Sequence, residues 1–599
     1  MDESGVQQGG PGLTVGNPSP AILHEKVAPA PGGEEWEMYG RIVKFLPRSK
    51  KEIVDLGLDT RWKYVFSYAD RYHPDVKVPE KLGHTRTGVG PTAAEKTAQH
   101  WYNEARNAIN KRQARLQDHK VARNTIMFLG DGMSVPTLAA ARTLLGQRQG
   151  LAGEEAELSF ESFPTVGLAK TYCVDHQIAD SACTATAYLC GVKNNYGTLG
   201  VTGAVPRYDC PASENTNNHL ESMAAWALKS GKDVGIVTTT RITHASPSGA
   251  YARIADRNWE HDGQVRAAGY DPTRCPDIAH QLIHTEPGKS FKVILGGGRR
   301  NFLPNITDEE GMLGLRTDER NLIEEWLNDK NERNLNGEYI WNREQLMAHM
   351  ESPPEYLLGL FESDHLQYNL EADTTTEPTL AELTEIAIRS LNRNEKGFFL
   401  FVEGGRIDHA HHENYVHLAL DETIELSKAV ERSMEMLPED DTLIVVTADH
   451  AHVMAFNGYT QRGGDIIGPS DQVDSNGIRY KTISYTNGPG AREQTDGVRP
   501  DVFDEHNVGD TRWRAHADVP LYSETHGGDD VAVFARGPHH HMFSGLYEQS
   551  QIPHLMAYAG CFDIVSETHP HCNTAHTLRS PLLIVLLLAA ASLARTMFR

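Results

Sequence analysis

Basic residues are in deficit in this chain: 57 Lys and Arg stand against 81 Asp and Glu, a formal net charge of −24 over 599 residues. That balance argues against nucleic acid as a partner, because phosphate backbones attract basic surfaces. It favours solubility and is compatible with binding divalent cations. Cysteine is scarce too: 7 residues are too few for a disulfide scaffold but enough for isolated bridges in an oxidising compartment. Met1-Asp2-Glu3-Ser4 lacks the basic and apolar segments of a secretory leader. Long apolar runs are also wanting. The 13 residues between Pro581 and Arg595 are short for a membrane-spanning helix. They follow the polar, small-residue stretch Asn573-Thr574-Ala575 and fit the hydrophobic tail of a glycosylphosphatidylinositol-anchor signal. A buried C-terminal helix would need amphipathic spacing that this run does not have. The anchor in turn requires secretion, for which this N-terminus shows no leader.

What is present reads as a large soluble enzyme. Apolar residues make up 39% and charged residues 23%, ordinary for a globular fold. Residues 1–92 form an N-terminal extension, disordered in its Gly- and Pro-rich first third and without an assignable role. Residues 94–116 have helical spacing. The chain then alternates short apolar runs (Ile126–Leu129, Val234–Val237, Val293–Leu295, Phe398–Val402, Leu443–Val446, Val531–Phe534) with helical stretches at 217–229, 380–392 and 416–436. This alternation predicts an α/β fold: a large, mostly parallel central sheet covered by helices on both faces. Segment 457–525, rich in Gly, Asp, Asn and Pro, interrupts it as an insertion. Of the cysteines, Cys210 and Cys275 suit a long closed loop and Cys561 and Cys572 a short one. Cys173, Cys183 and Cys190 are left over, and Cys190, in an apolar helical run, is expected as a buried free thiol.

Ligands of parallel sheets collect at the carboxyl ends of strands, and there the chain concentrates acids and imidazoles. Asp131 follows TIMFLG between Gly130 and Gly132, which permit close approach. Glu403, Asp408 and His412 follow FFLFV, Asp449–His450 follow LIVVTA, and His526 precedes VAVF. Asp408 and His412, four apart, share one helical face and can grip one ion. His409 and His411 compete for that role, and spacing alone leaves the choice open. Histidine with carboxylates suits zinc. Ser181 stands before the helical run ACTATAYL, where free N–H groups favour phosphate; Asp180 or Ser181 could each cap that helix. Ser246, after VGIVTTT, offers a hydroxyl for a hard cation, and Arg257 a fork for phosphate oxygens.

Over about Glu95 to Cys572 these residues resemble the alkaline phosphatases, and among them the animal, membrane-anchored type. NTIMFLGDGMS, DSACTATAYLCGVK, VTTTRITHASP, LFVEGGRIDHAHHE, VVTADHAHV and ETHGGDDVAVFARGP carry the resemblance in order. It implies a catalytic domain over 93–572, with 457–525 as a crown at the surface of a homodimer and 573–599 as the removable anchor signal. It further implies hydrolysis of phosphate monoesters through a phosphoserine at Ser181, with two zinc ions and one magnesium per subunit. Asp408, His412 and His526 would hold one zinc, and Asp131, Asp449 and His450 the other. Asp131 would also reach magnesium, with Ser246 and Glu403, while Arg257 clamps phosphate. His244, His409 and His452 would stand close around the ions. A calcium site would fall at Glu310, the Phe361 carbonyl, Glu362 and Glu377, with Glu310 placed through a gapped loop. Cys183 departs from the glycine common there, a small change expected to alter thiol sensitivity. Asn305-Ile306-Thr307 is a glycosylation sequon.

Two rival readings fit the residues less well. A catalytically weak, surface-anchored binding receptor is disfavoured because every nucleophile, metal and arginine position is filled. A related phosphodiesterase or sulfatase would lack the Asp-Ser-Ala element together with the Ser246 and Arg257 segments.

Overall fold

Seven-residue strands made almost wholly of Ile, Leu, Val, Phe and Thr have both faces buried, which requires a covering layer on each side. Such strands form the centre of this molecule. The computed structural model of the chain describes residues 119–562, apart from 503–504 and 506–508, together with Cys572. The expected extension at 1–92, the helix at 94–116 and the anchor signal at 573–599 lie outside the described residues.

Ten strands make one sheet: β1 (Asn124–Gly130), β2 (Thr165–Lys170), β3 (Asp233–Arg241), β4 (Val293–Gly297), β5 (Gly337–Ile340), β6 (Tyr356–Leu360), β7 (Phe398–Gly404), β8 (Thr442–Ala448), β9 (Val531–Arg536) and β10 (Gly545–Glu548). Their order is β10-β2-β9-β8-β1-β7-β3-β4-β6-β5. Every pairing is parallel except those of β9, which runs antiparallel to both β2 and β8. All six apolar runs named from the sequence are strands; β2, β5, β6 and β10 carry too few apolar residues in series to be seen there.

Helices cover the sheet. The principal ones are α1 (Val135–Arg148), α2 (Ser181–Cys190), α3 (Leu380–Leu391), α4 (Arg406–His412), α5 (Val416–Met436) and α6 (Ile552–Gly560). The stretch expected as helix over 217–229 is helical only from Met223 to Lys229, because Ser222 caps it there through the Ala225 N–H. Among the described residues no helix is long and apolar enough to cross a membrane. The insertion and the short strand leading into it form small separate sheets. Met454–Phe456, Ile483–Gly488 and Ala517–Pro520 make one, and Pro469–Val473 with Arg479–Lys481 another.

Register explains where the chemistry lies. Gly130 at the end of β1 is level with Gly404 of β7 and Ala448 of β8, and Glu403 is level with Leu129 and with Thr238 of β3. Residues leaving these strands are therefore neighbours. On one face, α2 rests on β7 through Tyr188, stacked 6.2 Å from the fully buried Phe401. Phe401→Ala should cost about 3–5 kcal/mol in denaturant unfolding, the range for deleting a fully enclosed aromatic. A loss below about 1 kcal/mol would show that the layers close over the gap and that this contact does not set the position of α2.

Candidate active site

Four carboxylates, all buried, meet at the carboxyl edge of β7, β1 and β8: Asp131, Glu403, Asp408 and Asp449. Asp131 and Asp449 are the first residues beyond their strands, Glu403 is the penultimate residue of β7, and Asp408 lies in α4 just after it. His526 reaches the same place through a two-residue bridge, level with His452. Gly132, with φ of 68°, turns the chain away beneath the His452 ring, and its N–H donates to Asp449 at 2.9 Å.

The imidazoles sort into roles that spacing left open. His412 Nε2 is 3.4 Å from Asp408 Oδ1 and 3.1 Å from His526 Nε2, and His526 Nε2 is 3.3 Å from the same carboxylate oxygen. The opposite nitrogens are anchored, His412 Nδ1 to the Glu524 carbonyl at 2.6 Å and His526 Nδ1 to the Ala179 carbonyl at 2.7 Å. His411 faces elsewhere, between Tyr485 Oη (2.8 Å) and Thr137 Oγ1 (3.0 Å). His409 meets Arg406 at 2.9 Å and packs against His365 and His244. His452 lies between Asp408 Oδ1 (2.7 Å) and Glu524 Oε2 (2.5 Å). His450 Nε2 is 3.1 Å from Asp449 Oδ2 and 3.5 Å from Asp131 Oδ1.

Ser181 is the first residue of α2. Asp180 takes the cap, accepting from the Ala182 and Cys183 N–H groups, which leaves the serine hydroxyl unspent on capping. Its Oγ lies 3.1 Å from His450 Nε2. Across from it Arg257 donates to Asp180 Oδ2 at 3.1 Å and lies 3.1 Å from His244 Nε2. Ser246 Oγ donates to Asp131 Oδ2 at 3.4 Å, and Thr238 and Thr240 hydroxyls both donate to Glu403 Oε2.

Positive charge is in short supply among the groups of this cluster. Burial, then the charges of Asp449, Asp408 and Glu403, raise Asp131 well above the usual carboxylate range. Burial likewise raises Asp449 and pushes Glu403 up to about 7. Burial opposes ionisation of Asp408 as well, but His412, His452 and His526 hold it well below the ordinary value. Burial also lowers His452, yet Glu524 and Asp408 on either side carry it up to about 10. Burial holds His412 down to about 4 and His450 and His244 well below the ordinary value, leaving them neutral donors. Asp131 Oδ1 and Glu403 Oε1 are buried without a hydrogen-bond partner. One atom each from Asp408, His412, His452 and His526, and one each from Asp131, His244 and Glu403, fall within 4.8 Å of one another. Unpartnered buried oxygens beside neutral imidazoles fit divalent cations.

Sequence reasoning passed over Glu524, His365, Thr238 and Thr240. Glu524 precedes His526 by two residues, the one signal by which it could have been found. At the expected calcium site, Glu362 and Glu377 are brought together: burial, then Glu362, pushes Glu377 up to about 9, and its Oε2 is buried without a hydrogen-bond partner. Glu310 is instead engaged by Arg299 at 3.2 Å and by the Ser363 N–H at 3.2 Å, and the Phe361 N–H donates to Gly296. Cys210–Cys275 and Cys561–Cys572 are bridged, and Cys190 is a buried free thiol that burial pushes up to about 12. One expectation is corrected. Cys183 contributes no thiol, because it is joined to Cys173 across the loop that leads into α2.

A family profile described as alkaline phosphatase matches residues 122–562. A membrane-bound alkaline phosphatase of Bombyx mori is 61% identical over 527 residues, covering 87% of this chain and 94% of that protein. The tissue-nonspecific alkaline phosphatase isozyme of Felis catus is 45% identical over 510 residues, 83% of this chain and 95% of that one. Among solved structures, an alkaline phosphatase of Thermus thermophilus superposes with a TM-score of 0.53 at 22% identity, covering 75% of this chain and 93% of that chain. One from the Antarctic bacterium TAB5 gives 0.52 at 18%, covering 74% and 99%. These two speak to the fold alone.

Gly132→Ala tests the packing of the cluster. A Cβ there would lie 2.4 Å from the His452 ring, displacing it from between Asp408 and Glu524. The prediction is at least a tenfold faster loss of divalent metal to a chelator, read by elemental analysis after timed dialysis. Metal retention equal to that of the wild type would show that His452 does not order this edge.

Proposed function

The chain belongs to the alkaline phosphatase family, and from that premise we propose a mechanism centred on Ser181. Members of the family are phosphomonoesterases that act on phosphate monoesters with divalent metal ions. In our reading Asp408, His412 and His526 hold one zinc; Asp131, Asp449 and His450 hold a second; Asp131, Glu403 and Ser246 serve magnesium. When bound, such ions lower the pKa of coordinated oxygens and meet charge on the phosphoryl group. His452 is better read as a support than as a ligand, because two carboxylates already hold it. His244 is read in the same way, through its contact with Arg257.

The chain's own residues then have defined work. Ser181 Oγ attacks phosphorus, the ester P–O bond breaks, the alcohol departs, and water later opens the phosphoserine to release phosphate. The helix start beneath Ser181 and the guanidinium of Arg257 face the phosphoryl oxygens, where charge is greatest. Asp180 holds both at once, capping α2 and gripping Arg257. Few groups are left to recognise the alcohol, which suits a broad range of monoesters. The observation that carries this reading is the capped serine, its Oγ 3.1 Å from His450 inside the carboxylate cluster.

Beyond the site, we read 93–572 as the catalytic domain, 457–525 as its crown-like insertion and homodimer surface, and the exposed Asn305 as glycosylated. Glu362 and Glu377, with Glu310 and the Phe361 carbonyl, are read as a calcium site. Residues 573–599 are read as a glycosylphosphatidylinositol-anchor signal placing the enzyme on the outer face of the cell membrane; the membrane-bound relative supports this.

Wild type should hydrolyse an aryl phosphate at alkaline pH, while Ser181→Ala and chelator treatment should each lower the rate by roughly a thousandfold or more. Turnover by Ser181→Ala equal to wild type would sink the phosphoserine step. For the anchor, a phosphatidylinositol-specific phospholipase should release the protein from membranes, and retention after treatment would count against it.

A further inference from the structure

At the sheet edge opposite the active site, three imidazoles converge. His119 lies just before β1, and His539 and His541 lie just after β9. Gly537 packs against Thr442 at the start of β8, so this edge is separated from Asp131 and Asp449 by the length of β1 and β8, roughly 20 Å at strand rise. Ring centroids are 5.6 Å apart for His119 and His539, 5.1 Å for His119 and His541, and 6.0 Å for His539 and His541. One ring nitrogen of each lies within 4.8 Å of the other two.

The local backbone makes this meeting possible. His539 adopts φ of 59° and ψ of 15°, a left-handed conformation uncommon for a residue with a side chain. It starts a short helical turn, His540–Phe543, and lets two residues only two positions apart turn their rings to the same neighbour. His540, between them, is committed elsewhere, its Nδ1 2.7 Å from Thr165 Oγ1. Lys120, next to His119, pairs with Asp440 at 3.0 Å.

We propose that His119, His539 and His541 form a metal site separate from the carboxylate cluster, selective for a zinc-class divalent cation. Among the described residues the grouped donors are three imidazoles, and imidazole nitrogen favours borderline ions such as zinc over calcium or magnesium, which take oxygen donors. Three nitrogens leave a coordination position for water, the usual complement of an accessible zinc site. The donors suit the role. His541 Nδ1 is buried without a hydrogen-bond partner, and His539 is itself buried. Ser181 and Arg257 lie at the other edge of the sheet, so the ion would act on the fold and not on the proposed hydrolysis. It would tie the segment entering β1 to the segment leaving β9, closing a very long loop, and its binding energy would add to folding stability.

The test uses holoenzyme with its catalytic ions loaded and excess removed. Titration with zinc chloride should reveal one further ion per chain, displaced by neither calcium nor magnesium. In His541→Ala and in the double variant His119→Ala/His541→Ala, affinity for that ion should fall at least tenfold, while hydrolysis of an aryl phosphate stays unchanged. Copper(II) added in place of zinc should give an electron paramagnetic resonance spectrum with hyperfine lines from imidazole nitrogens, absent in the double variant. Zinc should raise the melting temperature of wild type and leave that of the double variant unmoved. Equal zinc affinity in wild type and double variant would overturn the proposal. So would loss of the ion together with activity, which would assign it to the catalytic cluster.

Discussion

The mutual repulsion of four buried carboxylates governs this structure. Two such charges about 5 Å apart repel by on the order of 3 kcal/mol even at an effective dielectric near 20. Burial first, and then the charges of the neighbouring carboxylates, pushes Asp131, Asp449 and Glu403 toward protonation. The parallel register that stabilises the sheet brings them together, since it sets Gly130, Gly404 and Ala448 level. The fold therefore gathers carboxylates whose charge its own side chains offset most fully at Asp408. There Asp408, with three imidazoles around it, stays ionised beside a protonated His452. The remaining deficit is the physical reason to expect cations.

The serine depends on the same economy of contacts. A residue at the start of a helix is ordinarily drawn into capping it. Here Asp180 does the capping and also accepts from the Gly197 N–H and from Arg257. One carboxylate thus aligns the helix start, the nucleophile and the guanidinium. The Cys173–Cys183 bridge fastens the loop before Asp180 to the first turn of α2, and the Ala179 carbonyl at the end of that loop orients His526. Loop, helix and imidazole are thus tied to one another, which suits a site whose groups must keep their spacing while the substrate changes.

Much of this was legible in the sequence because the fold places chemistry by a simple rule. An apolar run ending in Asp or Asp-His marks a buried strand and the ligand beyond it, so β1, β7 and β8 with Asp131, Glu403 and Asp449 could be read directly. What resisted reading depended on contacts distant in sequence. Four-residue spacing could not separate His411 from His412; the distinction comes from Thr137 and Tyr485, which claim His411. The partner of Cys183 followed from the path of a loop, and spacing gave no sign of it. Strands β2 and β10 are edge-side and partly exposed, with burial alternating or weak, so they show no apolar run. Glu524 is a lone acid in a polar stretch until His452 and His412 are placed beside it.

Strand β9 draws these threads together by its direction. In a sheet otherwise parallel, every residue that follows a strand appears at the catalytic edge, and every residue that precedes one appears at the far edge. Because β9 is reversed, the relation inverts: His526, before it, joins the carboxylate cluster, and His539 and His541, after it, emerge beside the start of β1. The reversal delivers an imidazole to the edge where the buried carboxylates meet and two more to the opposite edge, beside His119. Ligand chemistry then diverges for a topological reason. At the carboxyl edge histidine is mixed with carboxylate and hydroxyl donors, a set able to hold both borderline and hard cations. At the far edge the grouped donors among the described residues are three imidazoles, and nitrogen donors favour borderline ions.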